Sequence, residues 1–171
     1  IRKVLKATDM EDCNSTATPA TTLALGLDKD GDPFDENWDY ASVVGMLMYL
    51  ANNSRPDIAF AVHQCARFTH HPKQSHASGI KRILRYLKGT SDKGMYLQPT
   101  SDMTLDCHVD ADFAGLYGVE HDQDPICVKS RTGYLITFMN CPLLWVSKLQ
   151  TQIALSTMEA EYIALSQSMC D

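Results

Sequence analysis

Two short stretches of the sequence carry carboxylates at a spacing that could do chemistry. "HVDADF" places Asp110 and Asp112 two positions apart, and "STMEAEY" does the same with Glu159 and Glu161. Carboxylates that converge from two elements offer the clustered oxygen ligands that Mg²⁺ and other hard divalent cations bind. Two such ions can activate a water and stabilise a leaving oxygen in phosphodiester cleavage.

The second stretch also has a purely structural interpretation. Ser156 is followed three positions later by Glu159, which is the spacing of a capping box. In that motif the Ser hydroxyl accepts the Glu N–H, and the Glu carboxylate reaches back to the Ser N–H. Glu159 would then stabilise the start of a helix without binding metal, so the placement of the other carboxylates decides between the two interpretations.

The elements that must position these carboxylates follow from periodicity. In "MTLDCHVDADF" apolar residues alternate with Asp and His, which predicts a half-buried strand ending in acidic residues. "RTGYLITFM" and "PLLWVSK" predict two more strands, the second after a turn at residues 140–142, and a helix begins at Ser156. A carboxylate at a strand end and one in the first turn of a helix packed on that strand can converge on one point.

The preceding part of the chain predicts three helices. They are "YASVVGMLMYLANNS", "RPDIAFAVHQCARFTHH", which begins near Pro56 and stops at Pro72, and a third that includes "HASGIKRILRYLKGT". Before residue 40 the sequence predicts loops and short extended pieces without a helix. The fold class is therefore mixed α/β: a helical segment, then three antiparallel strands, then a helix.

The third helix is amphipathic and basic. Its apolar residues recur at positions i, i+3, i+4 and i+7, and they are Ile80, Ile83, Leu84 and Leu87. Its basic residues, away from that stripe, are Lys81, Arg82, Arg85 and Lys88. This basic face is either simply solvated or a contact for nucleic-acid phosphates.

The charge distribution favours the second interpretation. The 171 residues have a formal net charge of −6, but residues 55–94 hold eight basic and two acidic residues, so the remainder carries −12. Such asymmetry suggests one segment that meets a polyanion and another that concentrates carboxylates.

Several classes of protein are disfavoured. The composition, 44% hydrophobic and 21% charged, is that of a globular protein. No apolar run is long enough for a membrane span, and no secretory leader is visible, so no membrane partner is expected. Six scattered cysteines without a C-x-x-C pair predict reduced, mostly buried thiols, and "DKDGD" predicts a solvated turn rather than a calcium loop. Because the first residue is Ile1, we expect a piece of a longer protein.

Several motifs in order resemble the Pol polyprotein of copia-type LTR retrotransposons, from the end of the reverse transcriptase into the ribonuclease H domain. They are "YASVVGMLMYLANNSRPDIAFAVHQCARF", "IKRILRYLKGTSDKGMYL", "VDADFAG", "SRTGYLI" and "WVSKLQTQIALSTMEAEYIAL". The resemblance implies that residues 1–39 are the loop-rich end of the palm and thumb entry. It assigns residues 40–94 to a helical thumb or connection segment, and 95–171 to the incomplete N-terminal part of a ribonuclease H-like domain.

The resemblance also implies site residues. The first metal-binding Asp of ribonuclease H matches Asp110 and the Glu matches Glu159, with Asp112 and Glu161 as their competitors. We expect the carboxylates of Asp110 and Glu159 to converge and Asp112 to point elsewhere. The complete domain would hold two Mg²⁺ ions and hydrolyse the RNA strand of RNA–DNA hybrids. The third and fourth ligands would follow the chain end, so this chain alone is expected to be inactive.

The resemblance implies two partners: an RNA–DNA hybrid or other nucleic acid, and the remainder of the Pol polyprotein. The nucleic acid would be contacted through Lys81, Arg82, Arg85 and Lys88. The implied location is intracellular, in a cytoplasmic particle or the nucleus. The alternative is a non-catalytic nucleic-acid-binding fragment or decayed transposon remnant. Residues 116–129 form a longer insertion than many relatives have, and the sequence assigns it no role.

Overall fold

The computed structural model describes residues 1–21 and 24–170. The chain forms two compact units, Ile1–Met95 and Tyr96–Asp171. Helices come first, followed by three antiparallel strands and a last helix, so the predicted mixed α/β class is confirmed. The identity of residues 1–39, 40–94 and 95–171 as parts of a reverse transcriptase and a ribonuclease H stays a prediction.

The first unit contains four α-helices in its described residues. They are α1 (Arg2–Ala7), α2 (Tyr40–Asn53), α3 (Ala59–Ala66) and α4 (Gln74–Gly89), and a 3₁₀ turn, Pro56–Ile58, leads into α3. Helix α1 corrects the prediction that no helix precedes residue 40. Six residues are too few to show a helical period, and packing of the buried Val4 and Leu5 stabilises the turn instead.

The core of this unit includes the predicted apolar stripe of α4. Ile80, Ile83, Leu84 and Leu87 are all 0% exposed, which confirms the period read from the sequence. Trp38 also belongs to this core and is only 9% exposed. Its indole lies 5.0 Å edge-to-face from Phe34 and 6.1 Å from the Tyr40 ring, both measured between centroids.

The second unit is built on a three-stranded sheet of order β1-β2-β3. Its elements are β1 (Leu105–Ala111), β2 (Arg131–Phe138), β3 (Cys141–Leu149) and helix α5 (Thr157–Ser168). A two-residue turn joins β2 to β3, with Met139 at φ 52° and Asn140 at φ 62°. These angles match the type I′ hairpin, whose twist suits antiparallel strands, and they place the turn one residue earlier than predicted.

Strand β1 is less covered than predicted. It lies at the sheet edge, Leu105 is 68% exposed, and only Val109 and Ala111 are partly buried. The predicted half-buried strand is therefore wrong in its burial, although its span and pairing are right. In the described part of this unit, few large apolar side chains are fully covered, among them Tyr134 on β2.

The insertion at residues 116–129 contributes to that small core. Leu116 and Cys127 are 3% and 2% exposed, and a 3₁₀ turn, Pro125–Val128, closes the segment. The insertion therefore packs as part of the unit, which is a role that its polar sequence did not reveal.

The structure bears on the expectations for membrane-spanning helices, for the cysteines and for the "DKDGD" segment. Within the described residues, none of the helices has the length and apolarity needed to cross a membrane. All six cysteines are free, as predicted, but only Cys65 and Cys127 are buried, so the expectation of mostly buried thiols is wrong. The "DKDGD" segment is a turn, in which the Gly31 N–H donates to the Asp28 carbonyl at 3.1 Å.

Candidate functional site

Asp110 is the next-to-last residue of β1, close to the strand end that the sequence predicts. It pairs with Gly133 of β2, and its side chain is exposed. In the part of the chain that the structure describes, its carboxylate has no hydrogen-bond or ion-pair partner. Asp110 is therefore accessible for binding a ligand.

Helix α5 packs on the other face of the sheet. The Thr132 hydroxyl donates to Oε1 of Gln167 on α5 at 2.8 Å, so the Thr132 face is the one that α5 covers. Thr132 pairs with Ala111, and paired residues of an antiparallel ladder share a face. Because successive side chains alternate between faces, Asp110 lies on the face opposite to α5.

Both the N–H and the carboxylate of Glu159 form hydrogen bonds at the start of α5. Its N–H donates to Oγ of Ser156 at 3.1 Å, which is the first half of the predicted capping box. Its Oε2 accepts the N–H of Leu155 at 2.7 Å, one residue before the N–H that the motif predicts. Since the carboxylate turns back along its own chain and Asp110 lies on the opposite face, the expected convergence of the two carboxylates is wrong in this structure.

The two competing carboxylates have other surroundings. The Asp112 carboxylate accepts the Arg131 N–H, and the Asp112 N–H donates to the Arg131 carbonyl at 3.1 Å. Asp112 thus closes the β1–β2 ladder, as expected of a residue that points away from the site. Glu161 is exposed and borders a shallow apolar cavity with Val109 and Tyr162.

These residues by themselves do not fit a two-ion magnesium site. Such a site needs several carboxylates aimed at one point, whereas Asp110 and Glu159 diverge. Across residues 1–21 and 24–170, no three His, Cys, Asp or Glu side chains lie together in a way that could hold a metal ion.

The basic face of α4 is partly engaged within its own unit. Nζ of Lys81 lies 2.6 Å from Oε1 of Glu36, which also accepts a hydrogen bond from Gln74 at 2.7 Å. The hydrogen bond from Lys81 is the largest effect on Glu36 and lowers the pKa of its carboxyl group below the ordinary value. The charge of Lys81 is therefore already neutralised.

The two arginines of this face hold the N-terminal segment. Arg82 donates to Oγ1 of Thr18 at 2.8 Å, and Nε of Arg85 donates to the Asn14 carbonyl at 3.0 Å. Neither has a carboxylate partner among the described residues, so both keep their net charge. The side chain of Lys88 makes no hydrogen bond or ion pair there either, which leaves its ammonium the most available of the four cationic groups.

A cavity beside α4 was not foreseen from the sequence. It has a volume of about 390 Å³, and its described lining comes from Pro19–Thr21, Leu25 and helices α3 and α4. The buried thiol of Cys65 borders it, and burial raises the pKa of that thiol to about 12. Cys65 is therefore a neutral wall residue rather than a nucleophile at physiological pH. The contributing Ser, Gly and Ala positions of α3 and α4 have no sequence signal that marks a cavity.

The sequence of the chain is similar to several known proteins. The chain is 33% identical over 165 residues to the retrovirus-related Pol polyprotein from transposon RE2 of Arabidopsis thaliana, a match of 96% of the chain and 11% of the relative. It is 39% identical over 174 residues to the Pol polyprotein from transposon TNT 1-94 of Nicotiana tabacum, or 98% of the chain and 12% of the relative. Secreted RxLR effector protein 161 of Plasmopara viticola is 37% identical over 133 residues, 78% of the chain and 88% of that protein.

Over most of its length the chain is therefore homologous to a segment of retrotransposon Pol polyproteins, consistent with the copia-type resemblance of its motifs. It spans only 11% to 12% of the length of the two polyproteins named above. No family model matches the chain, and no solved structure matches it significantly.

Proposed function

We propose that the chain is part of a retrotransposon reverse transcriptase and ribonuclease H that hydrolyses the RNA strand of RNA–DNA hybrids with Mg²⁺. The observation that carries this proposal is the element order β1-β2-β3-α5 in a Pol polyprotein. Asp110 lies near the end of β1, and Glu159 lies in the first turn of α5. That order supports an assignment to the first two carboxylates of a nuclease.

The roles of the two residues differ in this chain. Asp110 offers an exposed carboxylate, while Glu159 must release the Leu155 N–H before its carboxylate can bind anything else. Within residues 1–21 and 24–170 no further ligands join them, so a two-ion site would need ligands from elsewhere. We therefore expect the chain alone to bind nucleic acid without cleaving it.

Nucleic-acid binding is proposed for the basic face of α4. Arg82, Arg85 and Lys88 keep their net charges, and they lie in the segment that holds eight basic and two acidic residues. Contacts of this kind go to phosphates, so binding would not depend on base sequence.

The test compares the 171-residue chain with the same chain extended by whatever its reading frame encodes next. Each is incubated with Mg²⁺ and an RNA–DNA hybrid labelled on the RNA strand. The extended protein should cut the RNA, and the Asp110→Asn substitution should abolish cutting. The control is Asp106→Asn, which should leave cutting unchanged. Asp106 is an exposed carboxylate of the same strand, and the proposal gives it no role. Cutting by the extended protein that is indifferent to Asp110→Asn would refute the assigned role.

A non-catalytic nucleic-acid-binding protein is the second candidate. Two observations favour it: Glu159 is engaged in capping, and the Plasmopara viticola relative, 88% of which the chain covers, is itself a short protein. In the same assay this candidate predicts hybrid binding by the extended protein without any cleavage.

A further inference from the structure

Strand β1 has one edge without a partner strand. The sheet order is β1-β2-β3, so among the described strands β1 pairs with β2 alone. The N–H of Asp112 donates to the Arg131 carbonyl at 3.1 Å, and the N–H of Met139 donates to the Thr104 carbonyl at 3.1 Å. Because hydrogen-bonded pairs alternate along an antiparallel ladder, the even-numbered residues of β1 bond to β2. The odd-numbered residues direct their N–H and C=O groups to the free edge, and they are Leu105, Cys107, Val109 and Ala111.

The other edge of the sheet is protected in a way that β1 is not. Strand β3 contains Pro142, which has no N–H to donate, and Lys148, and its pairing with β2 is irregular between Ile136 and Thr137. Proline, lysine and irregular pairing are devices by which edge strands avoid pairing with another chain. Strand β1 has a regular register and contains neither proline nor lysine. The free edge of β1 is therefore suited to pairing with another strand.

An apolar cavity accompanies this edge on the sheet face that α5 covers. It has a volume of about 390 Å³, and its lining residues are Val109 of β1 and, on α5, Met158, Glu161, Tyr162 and Leu165. Leu105 lies on the same face of β1 as Val109 and is 68% exposed. The edge thus presents both an apolar cavity and an apolar side chain that projects from the same strand.

The opposite face of β1 carries polar groups that restrict the register. Asp106, His108 and Asp110 are all exposed. In an antiparallel pairing with a second copy about His108, Asp106 of each copy would face Asp110 of the other, and facing like charges are unfavourable. In a pairing about Cys107, Asp106 of each copy faces His108 of the other, which can donate a hydrogen bond to a carboxylate whether neutral or protonated. Asp110 then faces the hydroxyl-bearing Thr104.

Pairing about Cys107 also joins the apolar groups. A register about Val109 would place Asp106 opposite Asp112, so Cys107 is the centre at which no two of these carboxylates face each other. In that register Leu105 of one copy lies opposite Val109 of the other, on the same face of the sheet. Leu105 therefore lies at the cavity between β1 and α5 of the second copy.

We propose that this chain associates with a second copy of itself by antiparallel pairing of the two β1 strands, centred on Cys107. The dimer is symmetric because each copy contributes the same edge, and the two three-stranded sheets become continuous. The pairing satisfies the free backbone groups of both edges and covers Leu105. The inference does not rest on the proposed nuclease function or on nucleic-acid binding.

The mass of the purified 171-residue chain in solution tests the association. Sedimentation velocity should give twice the monomer mass of 19.0 kDa at high protein concentration and the monomer mass on dilution. Leu105→Lys should weaken the association about tenfold or more, because it places a charge at the cavity. The control is Leu143→Lys on β3, a position 60% exposed, which should leave the association unchanged. A monomer at every concentration, or equal effects of the two variants, would overturn the proposal.

Hydrogen exchange of individual backbone amides identifies the surface. In the dimer the amides of Cys107 and Val109 should exchange slowly, and in the Leu105→Lys monomer they should exchange fast. The amides of Asp106 and Asp110, which bond to β2, should be protected in both. A dimer in which the Cys107 and Val109 amides exchange as fast as in the monomer uses another surface, and the proposal is then wrong.

An exchange of side chains tests the register. His108→Asp places two carboxylates opposite each other at both ends of the pairing, so it should weaken the association about tenfold or more. Adding Asp106→His returns one imidazole and one carboxylate to each pair and should restore the parental dimer. Circular dichroism verifies that both variants are folded. A parental dimer with His108→Asp alone, or a double variant that stays monomeric, would rule out the pairing about Cys107.

Discussion

The guanidinium of Arg55 binds the carboxylate of Asp57 through two nitrogens, at 3.0 Å from Nε to Oδ1 and 2.7 Å from NH2 to Oδ2. The same guanidinium donates to the carbonyl and the hydroxyl of Thr90, at 3.0 and 2.7 Å. The Tyr86 hydroxyl completes the network by donating to Asp57 at 2.7 Å. This network joins the start of α3 to the end of α4, so the "RPD" of the sequence is a structural motif.

Replacing Arg55 with Lys should destabilise the first unit. A lysine keeps the charge but loses the planar fork, so it cannot satisfy Asp57 and Thr90 together. We expect the free energy of unfolding to fall by about 2–3 kcal/mol. Urea unfolding followed by Trp38 fluorescence in a Trp145→Phe background measures this unit.

The control for that measurement is Arg2→Lys, on an exposed position of α1. It should change the stability by no more than about 0.5 kcal/mol. An Arg55→Lys variant as stable as this control would show that the fork contributes nothing.

The stability of the first unit should depend on pH through two carboxyl groups. Burial raises the pKa of Asp57, but hydrogen bonds from Arg55 and Tyr86 outweigh it, so the pKa is below the ordinary value. The hydrogen bond from Lys81 lowers the pKa of Glu36 in the same direction. A lowered pKa stabilises the fold above the unfolded values of about 3.9 and 4.3, and this stabilisation is lost as pH falls through the folded pKa.

The urea midpoint should therefore hold between pH 7 and 5 and decline below about pH 4. The double variant Asp57→Asn, Glu36→Gln should be less stable at pH 7 and decline less steeply. Asp30→Asn, in an exposed turn, is the control and should follow the parent chain. A double variant that declines as steeply as the parent would contradict the assignment.

His76 should be essential to the packing of α4. It is fully buried, its Nδ1 accepts the Lys73 N–H at 2.9 Å, and its Nε2 lies 2.8 Å from the Gly26 carbonyl. The proton must therefore be on Nε2, and the ring stacks on Phe68 with centroids 3.8 Å apart. His76→Leu should lower the stability by about 1–3 kcal/mol, because two backbone groups lose their partners.

The matched control is His71→Leu, an exposed histidine outside any helix. Its urea midpoint should stay close to that of the parent. Equal midpoints for the two variants would mean that the ring of His76 acts only as a space filler.

The sequence predicted those parts of the fold that depend on local patterns. The apolar stripe of α4 and the spans of the three strands follow from periods of 3.6 and 2 residues, and both are present in the structure. Helix α1 was missed because six residues are too few for a period. The engagement of the basic face was missed because Arg85 and Asn14 are 71 positions apart in sequence, and such contacts leave no periodic signal.

The sequence predicted which carboxylates form the candidate site, but it did not predict how they are arranged. That Asp110 lies near a strand end and Glu159 in a first helical turn follows from local pattern. Which sheet face α5 covers depends on the β1–β2 register and on contacts such as Thr132 to Gln167, which are long-range. Local pattern therefore could not decide whether the two carboxylates meet.

The N-cap of α5 should matter more for stability than the Glu159 carboxylate. Ser156→Ala removes the hydroxyl that accepts the Glu159 N–H and should cost about 1 kcal/mol. Glu159→Gln keeps an acceptor for the Leu155 N–H, so its cost should be smaller. Trp145 fluorescence in a Trp38→Phe background measures the second unit. A larger loss from Glu159→Gln than from Ser156→Ala would contradict the capping interpretation.

Lys81 and Lys88 should contribute unequally to nucleic-acid binding. Each neutralised phosphate releases counterions and adds about one unit to the slope of log affinity against log salt. Lys88 has no partner among the described residues, so Lys88→Gln should flatten the slope by nearly one unit. Lys81 is already paired with Glu36 at 2.6 Å, so Lys81→Gln should flatten it less.

Removing Glu36 gives the sharpest test of this inequality. Glu36→Gln frees the ammonium of Lys81, so the hybrid should bind more tightly and the salt slope should steepen. The triple variant of Lys81, Arg85 and Lys88 to Gln should flatten the slope by about two units, because one of the three charges is neutralised beforehand. Fluorescence anisotropy of a labelled hybrid over a range of salt concentrations provides the slopes, and circular dichroism verifies that each variant is folded. If the folded triple variant keeps the parental slope, the basic face of α4 is solvated and does not contact nucleic acid.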